Sequence, residues 1–211
     1  MKFLSSHGAT AALLAAFAAS PIMAANVVSG ELWHVPDAVA RNAIPANVPS
    51  TAPDVTFDVN SPLNFTQAGS VQTFLNSGGA FNIVEATSGT LASSISNGVV
   101  STIINFQGTV SVTNGMQFSV AHDDGLTLII GGLNLGFNPG PTAPTTSLAT
   151  YTGPTGTFPF QLVYGECCAG SAVLEVNLPF VSTPAVPEPA TSGLMALGLA
   201  ALAVRATRQR R

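Results

Sequence analysis

Between Asn26 and Pro184 the apolar residues occur in short runs, and Gly, Pro, Asn or Ser interrupt them. In the clearest runs apolar and polar side chains alternate, which is the period of a β-strand with one buried face. These runs are residues 54–59, 116–120, 126–130, 158–164 and 172–178. No long segment has a convincing 3.6-residue period, although residues 71–75 could form one helical turn. The sequence therefore predicts an all-β domain over residues 26–184, built as an antiparallel β-sandwich.

Two short segments between predicted strands carry turn residues. Residues 113–115 are Thr-Asn-Gly and residues 123–125 are Asp-Asp-Gly. Because Asn-Gly and Asp-Gly pairs favour two-residue hairpin turns, we expect a β-hairpin at each segment. Residues 138–157 are rich in Pro, Thr and Gly, so we expect a long loop there.

The charge pattern excludes one class of partner. Charged residues make up 8% of the chain, against roughly 25% in an average soluble protein. Residues 26–186 contain nine acidic side chains and one basic side chain, Arg41, which gives a net charge of −8. Phosphate binding requires clustered Lys and Arg, so the sequence predicts no nucleic-acid partner. Such a body attracts divalent cations.

The first 25 residues have the three parts of a secretory signal. Lys2 gives a positive start, residues 9–19 are a mostly apolar run, and Ala24 and Ala25 offer a small-residue cleavage site. The apolar run is too short to cross a hydrocarbon core of ~30 Å as a helix. We therefore predict a signal helix over residues 1–25, export through the Sec translocon, and a mature protein outside the cytoplasm.

The end of the chain carries a second targeting pattern. The motif Val186-Pro187-Glu188-Pro189 precedes an apolar stretch over residues 190–204, and an Arg-rich end follows. These 15 apolar residues are few for a permanent span. The positive-inside rule would leave the arginines in the cytoplasm. We predict an apolar C-terminal helix that holds the chain in the membrane until a protease acts.

This order of Pro-Glu-Pro motif, apolar helix and Arg cluster resembles the PEP-CTERM signal of exported proteins of Gram-negative bacteria. The resemblance covers residues 185–211 and implies recognition by exosortase, a membrane cysteine transpeptidase-like enzyme in bacteria that make exopolysaccharide. It also implies transient anchoring in the inner membrane, followed by a place at the cell surface or in the extracellular matrix. A plain tail anchor is the alternative.

A second resemblance lies in the predicted sandwich. It covers residues 106–112, 118–120 and 122–132. These segments resemble the protective-antigen domain family, a β-sandwich module of toxins, bacterial glycosidases and yeast flocculins. Residues 158–164 and 172–176 are similar to the closing hairpin of that family, and Gly30 to Trp33 to its opening strand. The resemblance implies a protective-antigen-like sandwich.

Asp123 and Asp124 are the candidate metal ligands. Adjacent carboxylates can supply several of the six to eight oxygen ligands that Ca²⁺ takes. In the sugar-binding flocculin branch of the resembled family, an aspartate pair of this kind holds calcium, which coordinates sugar hydroxyls. The alternative is structural, because Asp and Gly are ordinary turn residues. No cofactor other than Ca²⁺ is indicated.

Cys167 and Cys168 are the only cysteines, and they are adjacent. A pair of cysteines in an exported protein is expected to oxidise, which predicts a vicinal disulfide within a rigid loop tip. Bridges to another chain and two free thiols are the alternatives. A catalytic redox role is disfavoured because the C-x-x-C spacing is missing.

Enzyme motifs are absent from the sequence: it contains no G-x-S-x-G, H-E-x-x-H or P-loop pattern. Glu166 and Glu175 are an imaginable glycosidase pair, but the alternation around Glu175 predicts that it faces solvent. Nothing marks His34 or His122 as a base. Trp33 is either a platform for a sugar ring or part of the core, and its apolar neighbours favour the core.

These patterns together indicate an exported, non-enzymatic surface or extracellular-matrix protein that is associated with exopolysaccharide. One alternative is a calcium-dependent carbohydrate-binding module that uses Asp123 and Asp124, with Trp33 as a speculative contact. A less favoured alternative is a hydrolase that acts on the polysaccharide.

Overall fold

The computed structural model describes residues 26–179. Its strands are β1 (Val27–Pro36), β2 (Val55–Asn60), β3 (Leu63–Phe65), β4 (Phe81–Glu85), β5 (Val100–Val112), β6 (Gln117–Asp123), β7 (Leu126–Ile130), β8 (Leu133–Asn134), β9 (Thr145–Thr150), β10 (Gly156–Glu166) and β11 (Val173–Val176). The helices are α1 (Asp37–Ala40) and α2 (Val71–Ser77), with a 3-10 turn at Pro45–Asn47. The signal helix, the sorting motif and the apolar helix that we predict for the two ends lie outside the described residues.

The strands form two antiparallel sheets. The larger sheet has seven strands in the order β4-β2-β1-β5-β10-β7-β8, and the smaller has four in the order β3-β11-β6-β9. At the centre of the larger sheet, Ile104 on β5 lies opposite Leu32 on β1 and Tyr164 on β10. The prediction of an all-β antiparallel sandwich is confirmed.

The main core lies between the two sheets. Alternate residues of each strand point into it, as the period-two pattern requires. Fully buried members are Leu32, Phe106 and Leu162 from the larger sheet and Phe65, Val120 and Leu174 from the smaller sheet. The Phe57 ring packs edge-on against Phe106 at 5.7 Å. Gly30 makes this packing possible, because a Cβ at that position would overlap the Phe57 ring.

A smaller apolar cluster lies on the opposite face of the seven-stranded sheet. It contains Trp33, Val35, Ile103 and Val163 from the sheet, together with Ala40, Ala43 and Cys167. Trp33 is only 5% exposed, and its Nε1 donates a 3.0 Å hydrogen bond to the carbonyl oxygen of Thr51. The segment that begins with α1 therefore covers this part of the sheet and fixes the position of Arg41.

The predicted hairpins at residues 113–115 and 123–125 are wrong. Both segments connect the two sheets: β5 and β7 belong to the larger sheet, and β6 belongs to the smaller. The first is still a turn, since the Met116 N–H donates to the Thr113 carbonyl at 3.0 Å. Turn residues reverse the chain, but they do not determine which sheet the next strand joins.

The predicted loop over residues 138–157 is wrong in part. Residues 145–150 form β9, an edge strand of the smaller sheet that pairs with β6 along its length. Residues of β9 are mostly Thr and Ser and lack an apolar face, so no alternating pattern indicates a strand there. The helical turn expected at residues 71–75 is present as α2. Its N-cap Ser70 accepts a hydrogen bond from the Thr73 N–H.

Among residues 26–179, no helix has the length and apolar character needed to cross a membrane.

Candidate functional site

Asp123 and Asp124 lie where the chain leaves β6 and crosses to the larger sheet, and their peptide bond is cis. The backbone carbonyls of both residues are held by buried side chains. The Tyr164 hydroxyl donates to the Asp123 carbonyl, and Nδ1 of His122 lies 2.6 Å from the Asp124 carbonyl. Because a carbonyl only accepts, Nδ1 carries the hydrogen of this bond.

The two aspartate residues are buried, at 7% exposed for Asp123 and 5% for Asp124. They hydrogen-bond to each other. Asp124 also accepts two backbone hydrogen bonds, from the Thr142 N–H to Oδ1 at 3.1 Å and from the Cys167 N–H to Oδ2 at 2.9 Å. The Asp124 carboxyl is therefore fixed in direction by two segments that are distant in sequence.

Burial and mutual repulsion make this pair hold a proton. Burial, the charge of Asp124 and the hydrogen bond to it raise the pKa of Asp123 to about 6. Burial also raises the pKa of Asp124, although the N–H groups of Cys167 and Thr142 oppose the rise by stabilising the anion. Two adjacent carboxyls in a buried site cannot easily both ionise without a cation. The pair therefore retains a proton up to about pH 6, and a positive ion can replace that proton.

Glu166 and Tyr164 are buried side chains next to the aspartates: the Tyr164 hydroxyl contacts both Glu166 and the Asp123 carbonyl. Glu166 is 1% exposed, and its Oε2 lies 2.7 Å from the Tyr164 hydroxyl. Burial, together with the negative charges of Asp124 and Asp123, raises the pKa of Glu166 to about 9. The single hydroxyl hydrogen of Tyr164 is directed to the Asp123 carbonyl, so a neutral Glu166 donates to the Tyr164 oxygen. Nothing in the sequence indicates this supporting role, since buried carboxyls have no local sequence signal.

Cys167 and Cys168 form a disulfide between adjacent residues. Both cysteines of the chain are used in this bridge. The turn that contains them follows β10. The Cys167 N–H contacts Asp124, the Cys168 N–H donates to Oδ1 of Asp37 at 2.8 Å, and the Ala169 N–H donates to Oγ of Ser96 at 3.1 Å.

Arg41 is the only Lys or Arg side chain among residues 26–179, and it does not neutralise the aspartate pair directly. Its Nε forms a 2.6 Å ion pair with Oδ2 of Asp37. The pKa of Asp37 is lowered, chiefly by the hydrogen bond from the Cys168 N–H. The Arg41 side chain and the Ser101 hydroxyl lower it further, and burial opposes them. Asp37 is therefore ionised while Asp123 keeps its proton at acidic pH.

The described residues include one group of three metal-ligand side chains, Asp37, Cys167 and Cys168, whose ligand atoms lie within 4.8 Å of one another. Its two sulfurs are joined in the disulfide, which leaves one carboxylate as a ligand. Within residues 26–179, Asp123 and Asp124 form no such group of three with another His, Cys, Asp or Glu. A cation between them would take its remaining ligands from backbone oxygens, water or a bound molecule.

The other sequence candidates lie apart from the aspartate pair. Trp33 is buried in the smaller cluster, so its ring presents no free face to a sugar. Glu175 is exposed on β11, as the alternation predicted. It lines an open depression of about 510 Å³ on the four-stranded sheet, beside Pro62, Ser119 and Thr146. Val186, Pro187, Glu188 and Pro189 lie outside the described residues.

Residues 185–211 match the family of the PEP-CTERM protein-sorting motif. No curated protein matches the sequence significantly. Among solved structures, the chain is similar to the "PA14 sugar-binding domain from RTX adhesin", with a TM-score of 0.54 and 20% identity over 74% of this chain and 90% of that chain.

Two further structures have lower scores. The PA14 domain of the antifreeze protein MpAFP has a TM-score of 0.49 and 16% identity, over 82% of this chain and 90% of that one. The epithelial adhesin 9 A domain from Candida glabrata has a TM-score of 0.33 and 8% identity, over 75% and 82%. At 20% identity the similarity to the adhesin domain shows the fold alone. The chain thus carries a PEP-CTERM protein-sorting motif, which marks it for export and membrane-anchored sorting, behind a β-sandwich that is similar in fold to a PA14 domain.

Proposed function

We propose that the exported protein is a non-enzymatic component of the cell surface or extracellular matrix, and that it binds glycan through Ca²⁺ held by Asp123 and Asp124. The sorting motif implies processing by exosortase and an extracellular destination. The ligand we propose is the exopolysaccharide of the producing cell. The structure with TM-score 0.54 is described as a sugar-binding domain of an adhesin, which supports this class of ligand.

The observation that carries the proposal is the uncompensated aspartate pair. The two adjacent carboxyls are buried, with the pKa of Asp123 raised to about 6, and the Arg side chain of the described residues, Arg41, is paired with Asp37. A divalent cation can neutralise both carboxylates at neutral pH, where the proton has been released. The net charge of −8 over residues 26–186 further favours a bound cation.

The donor set fits a hard cation such as Ca²⁺. Both side chains present oxygen ligands, and Asp124 is already oriented by its two N–H donors. Ca²⁺ takes six to eight oxygens, more than two carboxylates supply. The positions that the protein leaves open are those where hydroxyls of a glycan would bind. A bound ion would link the carboxylates of Asp123 and Asp124 electrostatically to the hydroxyls of the glycan.

The placement of the acidic residues disfavours a glycosidase. Glycoside hydrolysis requires two carboxyls that flank one bond, roughly 5–9.5 Å apart. Glu166 is buried against Tyr164, whereas Glu175 is exposed on the other sheet. These two residues do not face a common cleft, which supports a binding function without catalysis.

A glycan array, extended with the purified exopolysaccharide of the producing strain, tests the proposal. We expect binding in millimolar Ca²⁺ and its loss with a chelator. Asp123→Asn should lose binding while it keeps the fold, because the amide resembles the protonated carboxyl that the metal-free site holds below about pH 6. Glu175→Gln is the matched control, since it removes one exposed carboxylate and should bind normally. Glycan binding that survives both the chelator and Asp123→Asn would contradict the proposal.

A further inference from the structure

The turn after β10 has three consecutive backbone N–H groups that each donate to a side chain on a different segment. Cys167 contacts Asp124, Cys168 contacts Asp37 and Ala169 contacts Ser96. These partners belong to the crossing between the sheets, to α1 and to the segment before β5. The turn therefore sets the position of the candidate cation ligand Asp124 and of Asp37, which pairs with Arg41.

The backbone of this turn has an unusual conformation for its sequence. Cys168 has φ of 70° and Ala169 has φ of 57°, and neither residue is glycine. Left-handed conformations are unfavourable for residues with a Cβ, so a chain free to relax would leave them. The covalent bond between the two sulfurs restricts that relaxation. The disulfide and the left-handed turn together keep the three N–H groups pointing at their acceptors.

From this arrangement we infer that the Cys167–Cys168 disulfide is a positioning element for Asp124, and that its reduction weakens cation binding at the aspartate pair. This inference rests on the proposed function. With the disulfide closed, the Cys167 N–H stabilises the Asp124 carboxylate that would face the ion. With the disulfide open, the turn adopts ordinary backbone angles and Asp124 loses this donor. The site is then sensitive to thiol-type reductants outside the cell.

The redox step needs a named reductant. A dithiol attacks one sulfur, forms a mixed disulfide and leaves as a cyclic disulfide, so two electrons and two protons pass to the cysteines. A water-soluble phosphine does the same without a mixed disulfide, because phosphorus is oxidised and takes the oxygen of a water molecule. Cys167 is 1% exposed and Cys168 is half-buried, so attack is expected at the Cys168 sulfur.

Calcium titration by calorimetry tests the effect on the site. Three samples are compared: oxidised protein, protein reduced with a phosphine, and the double variant Cys167→Ala/Cys168→Ala. Loss of a hydrogen bond to a charged group predicts a Kd about tenfold weaker in the second and third samples. The phosphine should not change the Kd of the double variant, which controls for direct effects of the reductant. Ca²⁺ is the suitable probe because thiols are poor ligands for a hard cation.

Amide hydrogen exchange gives a second readout that needs no metal. The Thr142 N–H is distant from the disulfide in sequence, yet it donates to Asp124. If reduction moves Asp124, the Thr142 amide should lose protection together with the Cys167 amide, while the Leu162 amide in the sheet stays protected. If only residues 167–169 lose protection, the turn frays without moving Asp124 and the inference is overturned.

The outcomes separate the inference from the function on which it rests. Absence of Ca²⁺ binding in the oxidised protein would contradict the proposed function. Hydrogen exchange at the Thr142 amide would then still test whether the disulfide positions Asp124. Equal Kd values for oxidised and reduced protein would overturn the inference and leave the proposed function standing. Loss of protection at Leu162 as well would assign the disulfide a global role in stability and overturn the inference. If the double variant does not fold, the reduced wild-type protein provides the same comparison.

Discussion

The backbone N–H of Cys167 donates a 2.9 Å hydrogen bond to Oδ2 of Asp124, 43 residues earlier in the chain. This bond joins the end of β10 to the crossing between the two sheets. Asp124 accepts a second bond from the Thr142 N–H, so one carboxyl group connects three segments. Charge-assisted hydrogen bonds of this kind are stronger than neutral ones and fix the direction of the group. The aspartate pair is thus a fixed part of the fold.

Calcium should raise the melting temperature of the protein. A ligand that binds only the folded state stabilises it by about 2.7 kcal/mol at a hundredfold excess over Kd. We expect a rise with millimolar Ca²⁺, measured by calorimetry or circular dichroism, and almost none with Na⁺ at equal ionic strength. Asp123→Asn should abolish the rise, and Glu175→Gln should retain it. A calcium response that is unchanged in Asp123→Asn would place the ion elsewhere.

The metal-free protein should become less stable as pH rises from about 4 to about 7. The folded protein raises the pKa of Asp123 to about 6, whereas in the unfolded chain it is about 3.9. The folded state therefore holds a proton over this window that the unfolded state has released, and the free energy of unfolding falls with rising pH.

Because other carboxyls also titrate, this pH effect is measured as the difference between wild type and Asp123→Asn. We expect that difference to change between pH 4 and 7 without metal. Calcium competes with the proton, so its stabilising effect should be small at pH 5 and full at pH 7.5. Parallel pH curves for the two proteins would show that Asp123 has an ordinary pKa.

Glu166→Gln should make the protein more stable than wild type at pH 7, because unfolded wild type gains free energy by ionising Glu166 at this pH and Gln does not ionise. The raised pKa of about 9 means that Glu166 is neutral at this pH, and Gln has a donor and an acceptor in the same places. The amide N–H can donate to the Tyr164 hydroxyl, and its carbonyl can accept from the Asp124 N–H as Glu166 does. The variant should also lose the fall in stability that Glu166 causes in wild type as pH rises from about 4 to about 9.

Tyr164→Phe is the contrasting variant for that prediction. It removes the donor to the Asp123 carbonyl and leaves a buried acceptor unpaired. Such a loss costs about 1–3 kcal/mol, which thermal or chemical denaturation can measure. If Glu166→Gln destabilises the protein as much as Tyr164→Phe does, Glu166 is ionised in the folded state.

The sequence predicted the strands better than it predicted their connections. Residues 126–130 alternate because β7 has one face in the main core, and this pattern is local in sequence. The pairing of β6 with β9 and β11 depends on long-range contacts that no short pattern records. The turn at residues 113–115 was therefore found, while its assignment to a hairpin was wrong.

For the candidate site too, local pairs of residues are predictable and long-range contacts are not. An unusual pair of adjacent residues is visible in a sequence, as at Asp123–Asp124 and Cys167–Cys168. Their contact through a hydrogen bond was not predictable, since it depends on how β10 lies beside β7. The sequence indicates Glu166 only as half of an imaginable glycosidase pair. Its raised pKa results from burial, which depends on the tertiary structure.

Mature protein should lack both ends of the chain. Secretory cleavage is expected near Ala25, and the sorting cleavage near Pro187 to Pro189. Intact-mass spectrometry of material collected outside the cell measures both. In a strain without exosortase, the Arg-rich end should persist on membrane-bound protein. Secreted protein that still ends at Arg211 would refute the sorting prediction.

Gly125→Ala should destabilise the protein and weaken calcium binding. Gly125 follows the aspartate pair, and a Cβ there would overlap the carbonyl group of Pro139. The backbone around Pro139 is held by two bonds of 2.9 Å, from the Leu126 N–H to the Asn138 carbonyl and from the Ala43 N–H to the Pro139 carbonyl. Relief of the overlap would break one or both of them. Forced overpacking of this kind costs about 1–3 kcal/mol.

Gly140→Ala is the matched control for Gly125→Ala, because it adds the same methyl group to the same loop. Its Cβ would meet only the Asn138 side chain at 3.3 Å and the Arg41 carbonyl at 4.0 Å, and a side chain can move. At about 2–4 °C per kcal/mol for a domain of this size, Gly125→Ala should lower the melting temperature by several degrees and Gly140→Ala by little. The displaced loop also carries Thr142, whose N–H orients Asp124. Gly125→Ala should therefore bind Ca²⁺ more weakly than Gly140→Ala, and equal affinities would mean that the loop does not orient Asp124.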